Sequence, residues 1–167
     1  LRRIPELINR LNSEGIVSKA TIVGYGPLSE EFKSISGRNP KIDFLGKISF
    51  DKLPAVVSDN HYGILPLPDS LEWNVGSPLK IMEFASSGLV CLATDVGGTE
   101  PFSREDWITR ANRKDPVQEW FEAITSDLES YREFSGKGER AREFAVSEMT
   151  WQRSMEGLVK KIREANK

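Results

Sequence analysis

The sequence has 167 residues, of which 38% are hydrophobic and 29% charged, and its formal net charge is −2. This composition is typical of a single globular domain, residues 1–167, and excludes the basic surface of a nucleic-acid-binding protein. The single cysteine and single histidine exclude a disulfide framework and a metal cluster built on these residues, so no metal site is predicted. No signal peptide or membrane-length apolar run is found in the sequence, and we expect a cytoplasmic protein.

Short apolar runs alternate with amphipathic segments along the chain. The opening segment has apolar residues at helical spacing and predicts a helix that ends at Gly15. Further helices are predicted over Leu28–Ser36 and Ser49–Asn60 and from Pro78 onwards. Apolar runs bounded by turn residues predict five strands, which are Lys19–Gly24, Lys41–Gly46, His61–Leu67, Leu89–Thr94 and Asp106–Arg110.

The last third of the sequence is predicted to be helical. Two stripes of apolar residues at helical spacing are expected to face the core. The first stripe begins after Pro116 and comprises Val117, Trp120, Phe121, Ile124 and Leu128. The second follows Thr150 as a helix cap and comprises Trp151, Met155, Leu158 and Ile162. Because continuous apolar strands alternate with helices, we predict an α/β fold with a doubly wound parallel sheet and C-terminal helices.

Ligands of doubly wound folds bind outside the carboxyl ends of the strands, which directs attention to three loops. The first, "GYGP", has Gly24 and Gly26, which would let a ligand approach the backbone closely. It matches a dinucleotide-binding fingerprint only in part, and an ordinary tight turn is the alternative interpretation. The third loop, "DVGGTEP", could also offer amides to an anion or a sugar, again with an ordinary turn as the alternative.

The second loop leads into the stretch "NVGSPLKIMEFASSG", where a helix is predicted to start. Ser77 is a suitable N-cap and Pro78 suits the first helical position. The amides that follow would then form an anion site, and Gly76 would leave room for the ligand. Leu79 and Met82 are expected on the core side of this helix, together with Phe84 and Ala85.

Lys80 and Glu83 share one face of this predicted helix because they are three residues apart. A cation in the first turn opposes the helix dipole, and a bound diphosphate would supply the missing negative charge. Glu83 could then accept hydrogen bonds from the hydroxyls of a ribose. The alternative is a surface ion pair between the two side chains, worth a few tenths of a kcal/mol.

Five motifs resemble, in order and spacing, those of the family 4 (group 1) retaining glycosyltransferases. They are "ATIVGYGPLSEEF", "IDFLGKIS", "YGILPLPDS", "SPLKIMEFASSGLVCLATDVGGTEP" and "MTW", and they extend from Ala20 to Trp151. The resemblance is to the C-terminal, Rossmann-like domain of the GT-B fold, which binds the nucleotide-sugar donor. It implies transfer of a hexosyl unit from a UDP- or GDP-sugar to a glycan or lipid acceptor, with retention and without a metal or other cofactor.

The resemblance also implies roles for individual residues. Lys80 and Glu83 would be the catalytic pair, with Lys80 stabilising the departing diphosphate and Glu83 holding the ribose. Gly24 and Gly26 would line the diphosphate side of the cleft, and the backbone of Ile48 would lie near the base. The remaining residues expected to contact the donor form one segment, which comprises Asn74, Val75, Gly76, Ser77, Pro78 and Leu79.

The sequence departs from the family at two points. A glutamate that contacts the sugar in many members is replaced by Val75, and Asn74, Glu72 or Asp69 could take its place. The sequence also begins inside a helix that, in the family, follows a strand and a loop with a basic pair. We therefore expect a fragment that lacks this strand and the N-terminal acceptor domain, binds the donor weakly and transfers nothing. Any peripheral membrane association would belong to the full-length protein.

Two other functions remain open at this point. A sugar-nucleotide epimerase of the same fold would need acid–base residues, and His61 is the single histidine. A non-catalytic binding or scaffold module would fit the replacement by Val75 and the missing basic loop, whereas Lys80 and Glu83 favour a working donor site.

Overall fold

The structure is a computed structural model that describes residues 1–165, without the side chain of Ser154. It is an α/β fold with five strands and eight α-helices in these residues. The strands are β1 (Ala20–Val23), β2 (Ile42–Gly46), β3 (Tyr62–Leu65), β4 (Val90–Thr94) and β5 (Ile108–Ala111). The helices are α1 (Arg3–Ser13), α2 (Ser29–Arg38), α3 (Leu53–Ser58), α4 (Leu71–Val75), α5 (Leu79–Ser86), α6 (Pro116–Glu129), α7 (Tyr131–Glu148) and α8 (Trp151–Ala165).

All strand pairs are parallel, as the continuous apolar runs predicted. The strands form two ladders, however, rather than one sheet: β1 pairs with β2, and β3, β4 and β5 pair in that order. The central strand β4 is buried along its whole length, which agrees with its uninterrupted apolar sequence. The prediction of a parallel α/β fold is therefore confirmed, and the division into two ladders is a feature that the sequence pattern did not predict.

Two apolar clusters hold the helices on the ladders. The first extends across both ladders, since it contains Ile22 of β1 and Leu92 of β4 together with Trp120 of α6 and the apolar face of α1. The second lies around Trp107, which is fully buried against Phe102 and Phe144. The predicted apolar face of α1 is entirely buried, and its residues are Ile4, Leu7, Ile8 and Leu11.

Several predicted elements are corrected by the structure. The predicted helix Ser49–Asn60 is a 3-10 turn, Phe50–Lys52, followed by the short α3. Pro54 has no amide hydrogen to donate to the carbonyl of Phe50, so the α-helix begins only at Leu53. The second loop, predicted without structure, contains α4. The segment Gly97–Phe102 of the third loop is a 3-10 helix. The C-terminal helices include α7, whose start is capped by the hydroxyl of Ser130.

The stripe of α8 was predicted to face the core, and this prediction is wrong. The side chains of the stripe are exposed, and Trp151 is 85% accessible. Helical periodicity predicts that a helix is amphipathic, but it does not predict which part of the protein, if any, packs against the apolar face. Leu128, the last residue of the predicted stripe on α6, is also exposed. The prediction that Thr150 caps α8 is confirmed, since the amide of Arg153 donates to the Thr150 hydroxyl at 3.2 Å.

An ion pair between Asp106 and Arg140 fastens α7 to the segment before β5. The guanidinium of Arg140 donates to both carboxylate oxygens, at 3.1 and 2.6 Å, and these bonds hold the pKa of Asp106 below its ordinary value. A carboxylate whose pKa is lowered by folding contributes stability above the pKa of the unfolded chain, about 4, and loses it as the pH falls through the folded value.

We expect Asp106→Asn to lower the free energy of unfolding at pH 7 by about 0.5–1 kcal/mol, because both side chains are half exposed. The difference from the parent protein should shrink as the pH is lowered from 5 towards 2. Urea unfolding monitored by circular dichroism at several pH values measures this. A difference that stays constant over the whole range would contradict the assignment of the stabilisation to the charged pair.

Candidate functional site

The loop Gly24–Pro27 after β1 meets the loop after β2 at the carboxyl ends of these two strands. The amide of Gly24 donates to the carbonyl of Gly46 at 2.9 Å, which joins the loop Gly24–Pro27 to the loop that contains Ile48. Gly24 has a φ of 143°, a backbone conformation that favours glycine, and an added Cβ would meet no atom within 4 Å. Glycine is therefore favoured at position 24 by its backbone conformation, and not by a lack of space for a side chain.

Lys47 places a cation next to this loop, and the sequence analysis did not identify it. Its ammonium group lies 5.3 Å from the centre of the Tyr25 ring, a cation–π arrangement. Both side chains are exposed beyond the ends of β1 and β2. The sequence feature that could have identified Lys47 is its position directly after Gly46, the glycine that ends β2.

The helix α5 begins one residue later than predicted. Pro78 has φ −77° and ψ 91°, which is extended and not helical, so it occupies the N-cap position and Leu79 is the first helical residue. Ser77 is exposed and does not occupy the capping position. The amides of Leu79 and Lys80 precede the first intrahelical hydrogen bonds, as at any helix N-terminus. No acidic residue lies in this first turn, so the positive end of α5 is not neutralised by its own side chains.

Lys80 and Glu83 lie on the exposed face of α5, as their spacing predicted. The ammonium of Lys80 donates to Glu83 Oε2 at 2.6 Å, and the two side chains are 54% and 46% exposed. Leu79 is exposed as well, which corrects its expected place on the core side; Ile81 and Ala85 are the buried residues of α5. The surface ion pair that the sequence left as an alternative is thus the arrangement of these side chains in the structure.

Asn74 connects the second loop to the third. Its side-chain amide donates to Asp69 Oδ1 at 2.9 Å, and its carbonyl oxygen accepts from the amide of Gly97 at 2.9 Å. A Cβ on Gly97 would lie 2.2 Å from the carbonyl oxygen of Asn74, and one on Gly98 would lie 2.4 Å from that of Gly76. The glycine pair of the third loop therefore permits close packing against the residues that lead into α5, which favours the turn interpretation of this loop.

Arg113 is a second cation that the sequence analysis did not identify. It follows β5, pairs with Asp69 at 2.7 Å and donates to the carbonyl of Asp95 at 2.5 Å. The pKa of Asp69 is lowered by the hydrogen bond from Asn74 and, next, by the bond from Arg113. Two of the three residues proposed to replace the missing glutamate, Asn74 and Asp69, are thus engaged in contacts with the protein.

The remaining predicted residues lie close to these. Val75 ends α4 and is exposed. Glu72 is exposed on α4, and a hydrogen bond from Ser70 lowers its pKa. Gly76 follows α4, and a Cβ there would lie 2.5 Å from the carbonyl oxygen of Glu72, so a larger residue would disturb the turn into α5.

The predicted site residues form two groups. Gly24, Gly26 and Ile48 lie at the end of the first ladder, whereas the segment from Asn74 to Glu83 follows β3 of the second ladder. Within residues 1–165 no hydrogen bond or ion pair joins the two groups. His61 precedes β3 and therefore lies at the amino end of that strand, opposite to both groups.

The fold and the site together define an α/β domain with a candidate anion-binding helix N-terminus at the carboxyl edge of parallel strands. A comparison with protein families matches residues 1–130 to the family described as glycosyl transferases group 1. The chain belongs to this family, and its general function is glycosyl transfer. A search among curated proteins finds no match. Among the described residues, no helix has the length and apolar character needed to cross a membrane.

Proposed function

We propose that this chain is the donor-binding half of a retaining GT-B glycosyltransferase and holds the nucleoside diphosphate of a UDP- or GDP-sugar at the start of α5. The observation that carries this proposal is the Lys80–Glu83 pair, which is exposed beside the N-terminus of α5. An exposed ion pair at this spacing contributes only a few tenths of a kcal/mol, so a ligand can separate the two side chains at little cost.

A diphosphate would replace Glu83 as the partner of Lys80. It carries more negative charge than one carboxylate and would also accept hydrogen bonds from the amides of Leu79 and Lys80. When the bond between the sugar and the diphosphate breaks, negative charge develops on the departing oxygen. A fixed cation and oriented amides stabilise that charge more than they stabilise the intact donor, which is how they would accelerate transfer.

Glu83 would then be free to accept hydrogen bonds from the hydroxyls of the ribose, one helical turn further along α5. Gly24, Gly26 and the backbone of Ile48 would contribute the opposite side of the donor site, in the first ladder. In this proposal no metal or cofactor takes part, and the acceptor, a glycan or a lipid-linked glycan, is bound by a further domain. A cytoplasmic location, with any peripheral membrane contact made by that domain, is part of the same proposal.

The epimerase alternative is not favoured by the position of His61. An epimerase needs an acid or base beside the sugar, and His61 lies at the opposite end of β3 from α5. A scaffold without nucleotide binding remains a distinct outcome of the experiment below.

The test is a titration of the chain with UDP, GDP and ADP, followed by NMR because the affinity of this part alone is expected to be weak. Lys80→Ala should raise the Kd for the preferred nucleotide at least tenfold, since it removes a charge-assisted contact worth about 1.5–3 kcal/mol. Glu83→Ala should raise the Kd by about fivefold, which is the loss of one ordinary hydrogen bond of about 1 kcal/mol.

The matched control is the pair Arg153 and Glu156 of α8, which has the same spacing and similar exposure, 53% and 61%. Its alanine variants should bind the nucleotide within about twofold of the parent chain. The donor-site proposal would be abandoned if the two sets of variants behaved alike. If none of the three nucleotides bound to this chain or to the full-length protein, the scaffold alternative would be favoured.

A further inference from the structure

The start of α5 depends on contacts from outside the helix. Among residues 1–165, no side chain caps its N-terminus, and Pro78 at the N-cap position has an extended backbone. A helix start without a side-chain cap is free to fray or shift, because its first amides have no partner within the helix. The segment that leads into α5 is therefore held in place by other parts of the chain.

The third loop supplies these contacts. The amide of Gly97 donates to Asn74 Oδ1 at 2.9 Å. A Cβ on Gly98 would lie 2.4 Å from the carbonyl oxygen of Gly76 and 3.2 Å from Cδ of Pro78, so the backbone of Gly98 packs directly against the turn into α5. A movement of the two glycines would therefore move the first amides of α5 as well.

The third loop is in turn held by Arg110 on β5, which the sequence analysis did not identify as a site residue. Its guanidinium donates to Thr99 Oγ1 at 3.1 Å, to Glu100 Oε2 at 2.7 Å and to Asp95 Oδ1 at 2.5 Å. Thr99 is fully buried, and the Arg110 side chain is only 18% exposed. One side chain of β5 thus fixes three residues of the loop that follows β4.

These bonds fix a segment that is weakly held by its own backbone. The segment Gly97–Phe102 is a 3-10 helix with a proline inside it, and such helices have poorer hydrogen bonds than α-helices. Arg110 also balances charge, because Asp95 and Glu100 both contact its Nη2, and two carboxylates this close repel one another without a cation. Loss of Arg110 would release Thr99 and drive the two carboxylates apart, which would move the loop.

We propose that Arg110 is a positioning residue of the donor site, which holds the third loop and, through Asn74 and Gly76, the start of α5. This inference rests on the proposed function, since it concerns the same nucleoside-diphosphate site. Arg110 does not contact the ligand itself. Oriented amides bind and stabilise an anion only while they stay in place, so a small movement of this helix start weakens binding without removing any ligand contact.

The first measurement is amide hydrogen exchange, which needs no nucleotide. In Arg110→Met the amide of Gly97 should exchange at least about tenfold faster than in the parent chain, because the loop that presents it to Asn74 is released. The matched control is Arg140→Met, which breaks the ion pair with Asp106 before the opposite end of β5 and should leave the rate at Gly97 within about twofold. An unchanged rate in Arg110→Met, or equal changes in the two variants, would overturn the proposal.

The second measurement is the titration with the nucleotide that the parent chain prefers. Arg110→Met should raise its Kd about fivefold, and Arg140→Met should leave the Kd within about twofold. Arg110→Lys keeps a cation between the two carboxylates but not the fork of donors, so its Kd should lie between those of the parent chain and Arg110→Met. This partial rescue is expected of a charge that positions the loop and not of a side chain that only fills space.

The outcomes for this role and for the donor site itself are distinguishable. If Lys80→Ala weakened binding while Arg110→Met bound the nucleotide as the parent chain does, the positioning role would be overturned and the donor site would stand. Equal Kd values for Arg110→Lys and Arg110→Met would also overturn the role. If the parent chain bound no nucleotide, the donor site and the role of Arg110 in it would be overturned together.

Discussion

Trp120→Ala should lower the free energy of unfolding by about 4 kcal/mol, near the upper end of what a single core truncation costs. Trp120 is fully buried in the cluster shared by the two ladders, and its indole N–H donates to the carbonyl of Ala93 at 3.3 Å. Alanine would remove the ring and leave a cavity between α6 and β4. The neighbouring helix α1 cannot close this cavity without losing its own contacts with α6.

Guanidinium unfolding followed by far-UV circular dichroism measures the change. Trp120→Phe should cost about half as much, since part of the ring volume remains, and it keeps the prediction measurable if the alanine variant is largely unfolded. Trp151→Ala on α8 is the matched control and should change the stability by less than about 0.5 kcal/mol because this side chain is exposed. Equal losses in the Trp120 and Trp151 alanine variants would show that the cluster does not carry the stability assigned to it.

The contrast between these two tryptophans also shows what the sequence could predict about the fold. Both lie in stripes at helical spacing, and the pattern correctly indicated two amphipathic helices. Periodicity identifies the apolar face of a helix from residues near in sequence, but the partner of that face lies far away in the chain. The stripe of α6 meets β4 and α1, whereas the stripe of α8 meets solvent within the described residues.

The same limit applies to strand pairing. The run Leu89–Thr94 is apolar throughout, which predicted a buried strand, and β4 is buried at every position. Strand pairing depends on contacts between residues that are tens of positions apart. The local sequence pattern therefore could not predict that β1 and β3 belong to separate ladders. The sequence therefore predicted the class of fold and the strand segments, and the structure supplied the division into two ladders.

At the candidate site, local geometry could be predicted and distant contacts could not. The shared face of Lys80 and Glu83 follows from their spacing on a helix, and the structure places them in contact. The start of α5 shifted by one residue because the backbone of Pro78 is extended. The contacts of Asn74 with Gly97 and of Arg113 with Asp69 join residues from different loops, so a single sequence could not reveal them.

A buried ionic cluster connects β3 to the C-terminal helices and provides the second large expected effect. The carboxylate of Asp127 on α6 is almost inaccessible; it accepts a hydrogen bond from the hydroxyl of Tyr62 at 2.9 Å and pairs with the ammonium of Lys137 on α7 at 2.5 Å. Burial, and next the negative charge of Asp127, raise the pKa of Tyr62 above its ordinary range. Tyr62 therefore remains protonated and donates to Asp127 at neutral pH.

Asp127→Ala should lower the free energy of unfolding by about 3 kcal/mol, because it leaves the hydroxyl of Tyr62 and the ammonium of Lys137 without their buried partner. The loss stays at the lower end of the range for broken buried ion pairs since Lys137 is partly exposed and can reach water. Asp127→Asn should cost about 1–2 kcal/mol, since the amide can still accept from Tyr62 but no longer balances the charge of Lys137.

A double-mutant cycle separates the ion pair from the packing. Lys137→Met removes the charge but keeps most of the aliphatic volume, and it should cost less in the Asp127→Ala background than in the parent chain by at least about 1 kcal/mol. The measurement is urea unfolding of the four proteins at pH 7. Additive effects of the two substitutions would mean that Asp127 stabilises the chain through Tyr62 alone, and the connection between α6 and α7 would then have to be assigned to their apolar contacts.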